Sequence, residues 1–447
     1  MTGSGPRPRR HAALALLALA STLSAGTALA APIERVDQRG QYWVFDDVDG
    51  SVEAAYWFDR EGFLDGYQQV EDGFLAVHPD DSQFLVVYTT WSLPAGIGAF
   101  FQSVANDVHG IGYEHIALED AVIPEPYFDD TPNSQVEGFL HLNRWTQYLG
   151  DDPGGTNDLT ISLIFGQELG HAWGSFVYFS QDGGPGELGL LGRAHAHWSF
   201  YMDTGGSPMQ GHTWVDNGDG TFTAHPTDLY VFSDLDLYLM GLLPAQDVAP
   251  WFIIEDPTDC VDAASGDGVC APVDAFQFEA PTYTVTGTRR DVSLDDVLAV
   301  EGPRMPAWPD APSEFDVSFL LIKRPDEALS YEQLAALDGI VARSIELFEL
   351  QTRGLGRVVN RTQSDDPPPP PPEEGTSSGG LDDTAGSGPT EASTSGDTGG
   401  TSGQGAHDDG DGGCGCRSEP ASDRGPALGL LGLLALVTRR RRRRAAP

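Results

Sequence analysis

Between residues 40 and 92, short runs rich in Val, Tyr, Trp and Phe alternate with Asp-Gly pairs. Gln41 to Phe45, Ala54 to Phe58 and Gln83 to Trp91 carry this pattern, which predicts strands separated by turns. Val136 to Leu142 (VEGFLHL) predicts another short strand. A loop with Pro and paired Gly follows over Asp151 to Asn157. A helix is expected to start at Thr156 or Asn157, with Asp158 in its first turn, and to run to about Phe179. Leu159, Leu163, Phe165, Leu169, Trp173 and Phe176 give it broad apolar cover, the mark of a buried central helix rather than an amphipathic surface one. A second helix is expected over Ser330 to Leu350. Strands before a buried helix, then mixed loops and a helical end, predict an α+β fold. The expected plan is a mixed sheet packed on the central helix, with a β-rich part before it and a mixed part after it. No internal repeat of fixed period is present.

The two ends read differently from this middle. Arg7, Arg9 and Arg10 precede an apolar run from Ala12 to Leu19, and Ala28-Leu29-Ala30 precedes Ala31-Pro32. Positive start, short apolar middle and small-residue exit predict a secretory signal over residues 1–30 rather than a membrane helix. Residues 31–362 read as the folded part. After Thr362 comes a run of Pro367 to Pro372, then Gly/Ser/Thr/Asp-rich sequence to Gly413. This predicts a stiff piece and a flexible stalk over 363–413, too poor in apolar residues to fold. Residues 414–447 hold Cys414-Gly415-Cys416, the apolar stretch Pro426 to Val437, and arginines from 439 to 444. The apolar stretch covers roughly 18 Å as a helix, against roughly 30 Å of bilayer hydrocarbon. The tail resembles the myxobacterial-type C-terminal sorting signal. That resemblance implies processing, by an intramembrane protease called myxosortase, and lipid attachment at Cys414 or Cys416. The competing reading is a simple tail anchor. Either way the expected location is the cell surface or outer envelope, with release to the outside left open.

Charge narrows the partners. The net charge is −42, even with the arginines of both ends counted. Such a surface repels nucleic acid and anionic lipid. The chain has four cysteines, too few for a disulfide scaffold at this length. Cys260 and Cys270 enclose a polar loop and are expected to form one disulfide in an oxidising compartment.

The chemistry concentrates on the central helix. Gln167-Glu168-Leu169-Gly170-His171 places residues 167 and 171 one turn apart on the same face. In the pattern H-E-x-x-H, two histidines at this spacing bind zinc and the glutamate between them serves as general base. Here the first position is Gln. Gly192-Arg193-Ala194-His195-Ala196-His197-Trp198-Ser199-Phe200 follows, and then Ser233-Asp234-Leu235-Asp236-Leu237-Tyr238-Leu239-Met240-Gly241-Leu242. In this order the three segments resemble a group of secreted bacterial zincin-like metallopeptidases, over roughly residues 83 to 255. The resemblance implies a zincin fold, one catalytic zinc and peptide hydrolysis. It implies that His171 is the second helix ligand, Glu168 the general base and His197 the third ligand. Met240 would sit in a turn beneath the metal, and Tyr238 would stabilise an oxyanion. Gln167 departs from the family's first histidine, and an amide oxygen is a poorer zinc ligand than imidazole. Two routes around this stay open: Gln167 coordinates through its oxygen, or His195 enters beside His197, both on one face of a strand.

Two functions follow as expectations. One is a zinc peptidase taking an extracellular protein or peptide, laid along Val136 to Leu142 by strand addition. The other is a catalytically inactive binding or adhesion protein that keeps the cleft. Asp216-Asn217-Gly218-Asp219-Gly220-Thr221 could hold Ca2+, but it lacks the distal Glu of a full calcium loop. A hairpin turn is the favoured reading.

Overall fold

A computed structural model describes residues 32–364, apart from 57–59, 95–96, 114, 116–133, 153, 267 and 278–281, with backbone only at 60–64. The expected signal, most of the stalk and the tail with Cys414 and Cys416 lie outside the described residues.

The described part is mixed α+β. Its strands are β1 (Ile33–Gln38), β2 (Trp43–Asp47), β3 (Phe84–Thr89), β4 (Phe100–Ser103), β5 (Gly138–Arg144), β6 (Trp198–Asp203), β7 (Gln210–His212), β8 (Trp214–Asp216), β9 (Thr221–Ala224), β10 (Trp251–Asp262), β11 (Tyr283–Val292), β12 (Glu314–Lys323) and β13 (Arg357–Asn360). Its helices are α1 (Ser51–Ala55), α2 (Arg60–Leu75), α3 (Asp158–Gly170), α4 (Asp234–Met240), α5 (Leu294–Glu301) and α6 (Tyr331–Gln351).

The first sheet runs β1-β2-β12-β3-β5-β4, with β13 also on β12. Its centre is parallel (β2, β12, β3, β5), and its two edges, β1 and β4, are antiparallel. Period-two alternation divides its side chains between two faces. Val86, Tyr88, Leu140, Phe319 and Leu321 join the core beneath α3 and α6. Leu85, Val87, Phe139, Leu320 and Ile322 join the core beneath α1 and α2. Strands buried on both faces read as continuous apolar runs, as FLVVY in β3 does.

The second sheet runs β7-β6-β10-β11-β9-β8. It carries its own apolar cluster of Phe200, Trp214, Phe222, Phe252 and Tyr283. Cys260 on β10 is bonded to Cys270, with Cα atoms 4.9 Å apart, as expected. Residues 216–221 form the β8–β9 hairpin turn, in which Asp216 Oδ1 accepts from the Gly218 N–H and Asp219 Oδ1 from the Thr221 N–H.

Three expectations are corrected. Ala54 and Ala55 lie at the end of helix α1, not in a strand, and α2 follows. The Asp47 carboxylate accepts from the N–H groups of Val52 and Glu53 and so satisfies the start of α1. Tyr67, Val70 and Phe74 recur at helical spacing on the buried face of α2. Next, α3 begins as expected, with the Asn157 side chain accepting from Thr160 N–H, but stops at Gly170. Trp173 is still buried, because it packs on Phe84 and Phe315 with ring centroids 5.8 and 4.8 Å away. The apolar pattern beyond residue 170 therefore reports burial of a loop. Leu159 is exposed. Finally, β5 is flanked by β3 and β4, so neither of its edges is open to an added peptide strand. The terminal strand on that side is β4.

Candidate functional site

The site forms where the end of α3 meets the start of β6. A Cβ at Gly170 would fall on the Met209 sulfur, so glycine allows the segment before β7 to close against the helix end. The Trp198 N–H donates to the Met209 carbonyl at 2.9 Å, and the Ser175 N–H to the Ala196 carbonyl at 3.4 Å. These bonds fix residues 196–198 beside the last turn of α3.

His171 and His197 come together there, their ring centroids 4.8 Å apart and their planes at 90°. His171 Nδ1 lies 3.2 Å from the Gly174 carbonyl, and His197 Nδ1 lies 2.8 Å from the Arg193 carbonyl. A carbonyl only accepts, so both Nδ1 atoms carry the proton and both Nε2 atoms present a lone pair. Burial pushes the His171 imidazole down to about 4, with the nearby Arg193 charge adding to the effect and the Gly174 bond opposing it. His197 is pushed well down for the same first cause, and Arg193 and His171 add to it. Both rings are therefore neutral near pH 7, the form that can ligate.

Gln167 and Glu168, on the last turn of α3, are buried. The Gln167 amide oxygen has no hydrogen-bond partner among the described residues. Burial pushes the Glu168 carboxyl up to about 8, with Arg193 and the Gln167 amide pulling the other way. A carboxyl in that range is placed to exchange a proton near neutral pH.

Arg193, which the sequence reading left without a role, belongs to the site. Its Nη2 donates to His197 Nε2 at 3.0 Å. With the Gln210 amide oxygen turned toward the guanidinium, that oxygen accepts from Nη2 at 2.6 Å and from Nε at 3.3 Å. The guanidinium also lies 5.3 Å from the Phe276 ring centre. The signal available in the sequence was an arginine next to the His pair in a chain of strongly negative charge.

The remaining expected residues go elsewhere. Residues 193–195 form a short 3-10 turn with positive φ at Ala194 and His195, and β6 starts only at Trp198. His195 and His197 therefore do not share a strand face, and His195 is exposed. The reason is the left-handed backbone, which breaks the alternation assumed for a strand. The Tyr238 hydroxyl accepts from the Arg304 N–H at 2.9 Å, and the Met240 carbonyl accepts from Arg304 Nη2 at 3.1 Å. Both serve to anchor the segment that follows α5. The methionine set against the end of α3 is Met209, not Met240.

The second and third motifs meet through a buried carboxylate. Trp198 Nε1 and Ser207 Oγ each donate to Asp236 at 2.7 Å, and Ser233 closes a capping box on it.

Among the described residues, no group of three or more His, Cys, Asp or Glu side chains converges as a metal site. What the described residues do bring together is the two imidazoles, with the Gln210 amide reaching the Arg193 guanidinium and the orphan oxygen of Gln167 on the last turn of α3. His171 Nε2 presents a lone pair, His197 Nε2 accepts from Arg193, and the Gln167 oxygen is a buried orphan; an ion of the zinc type held here would draw nitrogen from the imidazoles and the weaker donor oxygen from the amide. In comparisons with family models, curated proteins and solved structures, nothing matches the chain.

Proposed function

We propose that this chain is a zinc-dependent peptidase of the zincin type, displayed at the cell surface and acting on extracellular protein or peptide. The observation that carries the reading is the His171–His197 pair. Both rings have their Nδ1 bound to backbone carbonyls, and the buried Glu168 stands on the last turn of α3, within reach of the charge of Arg193, which also donates to His197. Metal-ligating histidines are commonly oriented by such outer partners.

His171, His197 and the Gln167 oxygen would hold the ion, which when bound supplies a Lewis acid for the peptide carbonyl. Glu168 takes a proton from the attacking water and returns it to the leaving amine. An extended substrate adds to the outer edge of β4, since β5 is enclosed.

A second reading is a catalytically inactive binding protein. Arg193 favours it, because its guanidinium donates into the His197 lone pair that a metal would need.

Metal analysis of the purified protein and chelator-sensitive casein cleavage separate the two. Zinc at one equivalent, with cleavage abolished in Glu168→Gln, supports the peptidase. Zinc binding and cleavage that appear only in Gln167→His establish the inactive form.

A further inference from the structure

We infer that the Arg193 guanidinium is a tethered cation standing in the metal's seat, and that zinc must expel it, so that Arg193 sets the metal affinity of the site. This rests on the zinc reading above.

His197 has one lone pair to give, because its Nδ1 proton is engaged by the Arg193 carbonyl at 2.8 Å. Arg193 Nη2 already donates into that lone pair at 3.0 Å. With the Gln210 amide turned as above, its oxygen holds the same Nη2 at 2.6 Å. One nitrogen of a fixed positive charge thus stands where an imidazole lone pair and an amide oxygen meet. An imidazole nitrogen cannot serve an N–H donor and a metal ion at once. A guanidinium does not deprotonate to make way, so the exchange must be cation for cation.

The backbone is shaped for this contact. Ala194, His195 and Gln210 have φ of 55°, 51° and 76°. Left-handed conformations are uncommon in residues with a Cβ and cluster at functional sites. Here they lie in the turn between Arg193 and His197 and at the residue whose side chain grips the guanidinium.

No carboxylate holds the arginine in place at ion-pair distance among the described residues. Arg289, Arg290, Arg324 and Arg343 are paired with carboxylates. Arg193 instead touches a neutral imidazole, a neutral amide and an aromatic ring, and its charge acts on the buried Glu168 carboxyl from farther off. Gln210 thereby becomes a site residue, facing the guanidinium in one state and the ion in the other.

The test is the zinc dissociation constant, read by competition with a chromophoric chelator, for the full chain and its Arg193→Gln and Arg193→Met variants. Loss of the competing charge-assisted hydrogen bond should tighten zinc binding by about tenfold or more. Zinc binding by the variants alone also supports the inference. Unchanged or weaker binding in folded variants overturns it and leaves the zinc reading intact. Absence of zinc binding in every form removes the zinc reading and the inference together. A measurement on wild type covers the case of variants that fail to fold. The Arg193 side-chain 15N–H resonances should shift or broaden on zinc saturation, and if they stay unchanged in the zinc-loaded protein the inference falls.

Discussion

His171 and His197 stand edge to face, their ring centroids 4.8 Å apart, although one caps α3 and the other precedes β6. Each presents an Nε2 lone pair because each Nδ1 is bound to a main-chain carbonyl. His171→Ala and His197→Ala should each weaken zinc binding by more than the roughly 10–100-fold typical of losing an outer partner. Chelator competition reads this, and a variant that binds zinc like wild type would move the site elsewhere.

Glu168→Gln keeps the shape of the helix and removes the base. Peptide cleavage should fall by about 10²–10⁴ while bound zinc is retained. In the metal-free protein the Glu168 carboxyl titrates near 8, raised by burial. A folded-state value above the unfolded one means that folded Glu168 holds a proton that the unfolded chain releases. This contribution to stability is present at low pH and is lost as pH rises through about 8. Added zinc should move the titration to lower pH, which carboxyl 13C NMR would show.

His141 behaves in the opposite sense. It is fully buried against Tyr56 and Phe100, and burial pushes it down to about 3. The unfolded chain takes up a proton near pH 6.5 that the folded chain refuses. Stability should therefore fall as pH drops from about 6.5 toward 3. Urea midpoints at pH 7 and pH 4.5 measure the slope, and His141→Asn should flatten it.

Asp236 gathers Trp198, Ser207 and Ser233 inside the core. Asp236→Ala strands these donors, at a cost of about 2–4 kcal/mol. Thermal melting should show the loss, and an unchanged melting temperature would mean that the network contributes nothing net.

Reduction of Cys260–Cys270 reopens a short loop on β10. Loop-closure entropy puts the loss at about 2–3 kcal/mol. The melting temperature should drop with reductant, and Cys260→Ala/Cys270→Ala should be insensitive to it.

Local signals carried much of this protein into view. Asn157 and Ser330 marked the starts of α3 and α6, because capping is settled within a few residues. The Asp-Gly pattern at 216–221 gave its hairpin for the same reason. The spacing of Gln167, Glu168 and His171 placed them on one turn, and the short loop between Cys260 and Cys270 was closed by a disulfide. Where the cause was distant, the sequence misled. The buried Trp173 and Phe176 imitated a longer helix, since apolar residues report burial whether a helix or a packed loop buries them. The end of α3 and the closure of Met209 on Gly170 depend on chain segments tens of residues apart, and the left-handed turn that separates His195 from His197 falls on Ala194 and His195, with no glycine there to announce it. Arg193 and Gln210 show the same limit: an arginine in a motif has no address until the backbone turns it. Sequence determined which chemistry was at hand, because side-chain identity and short-range geometry are local. Tertiary structure alone decided which groups share a point, because convergence is set by packing between elements that do not adjoin in the chain.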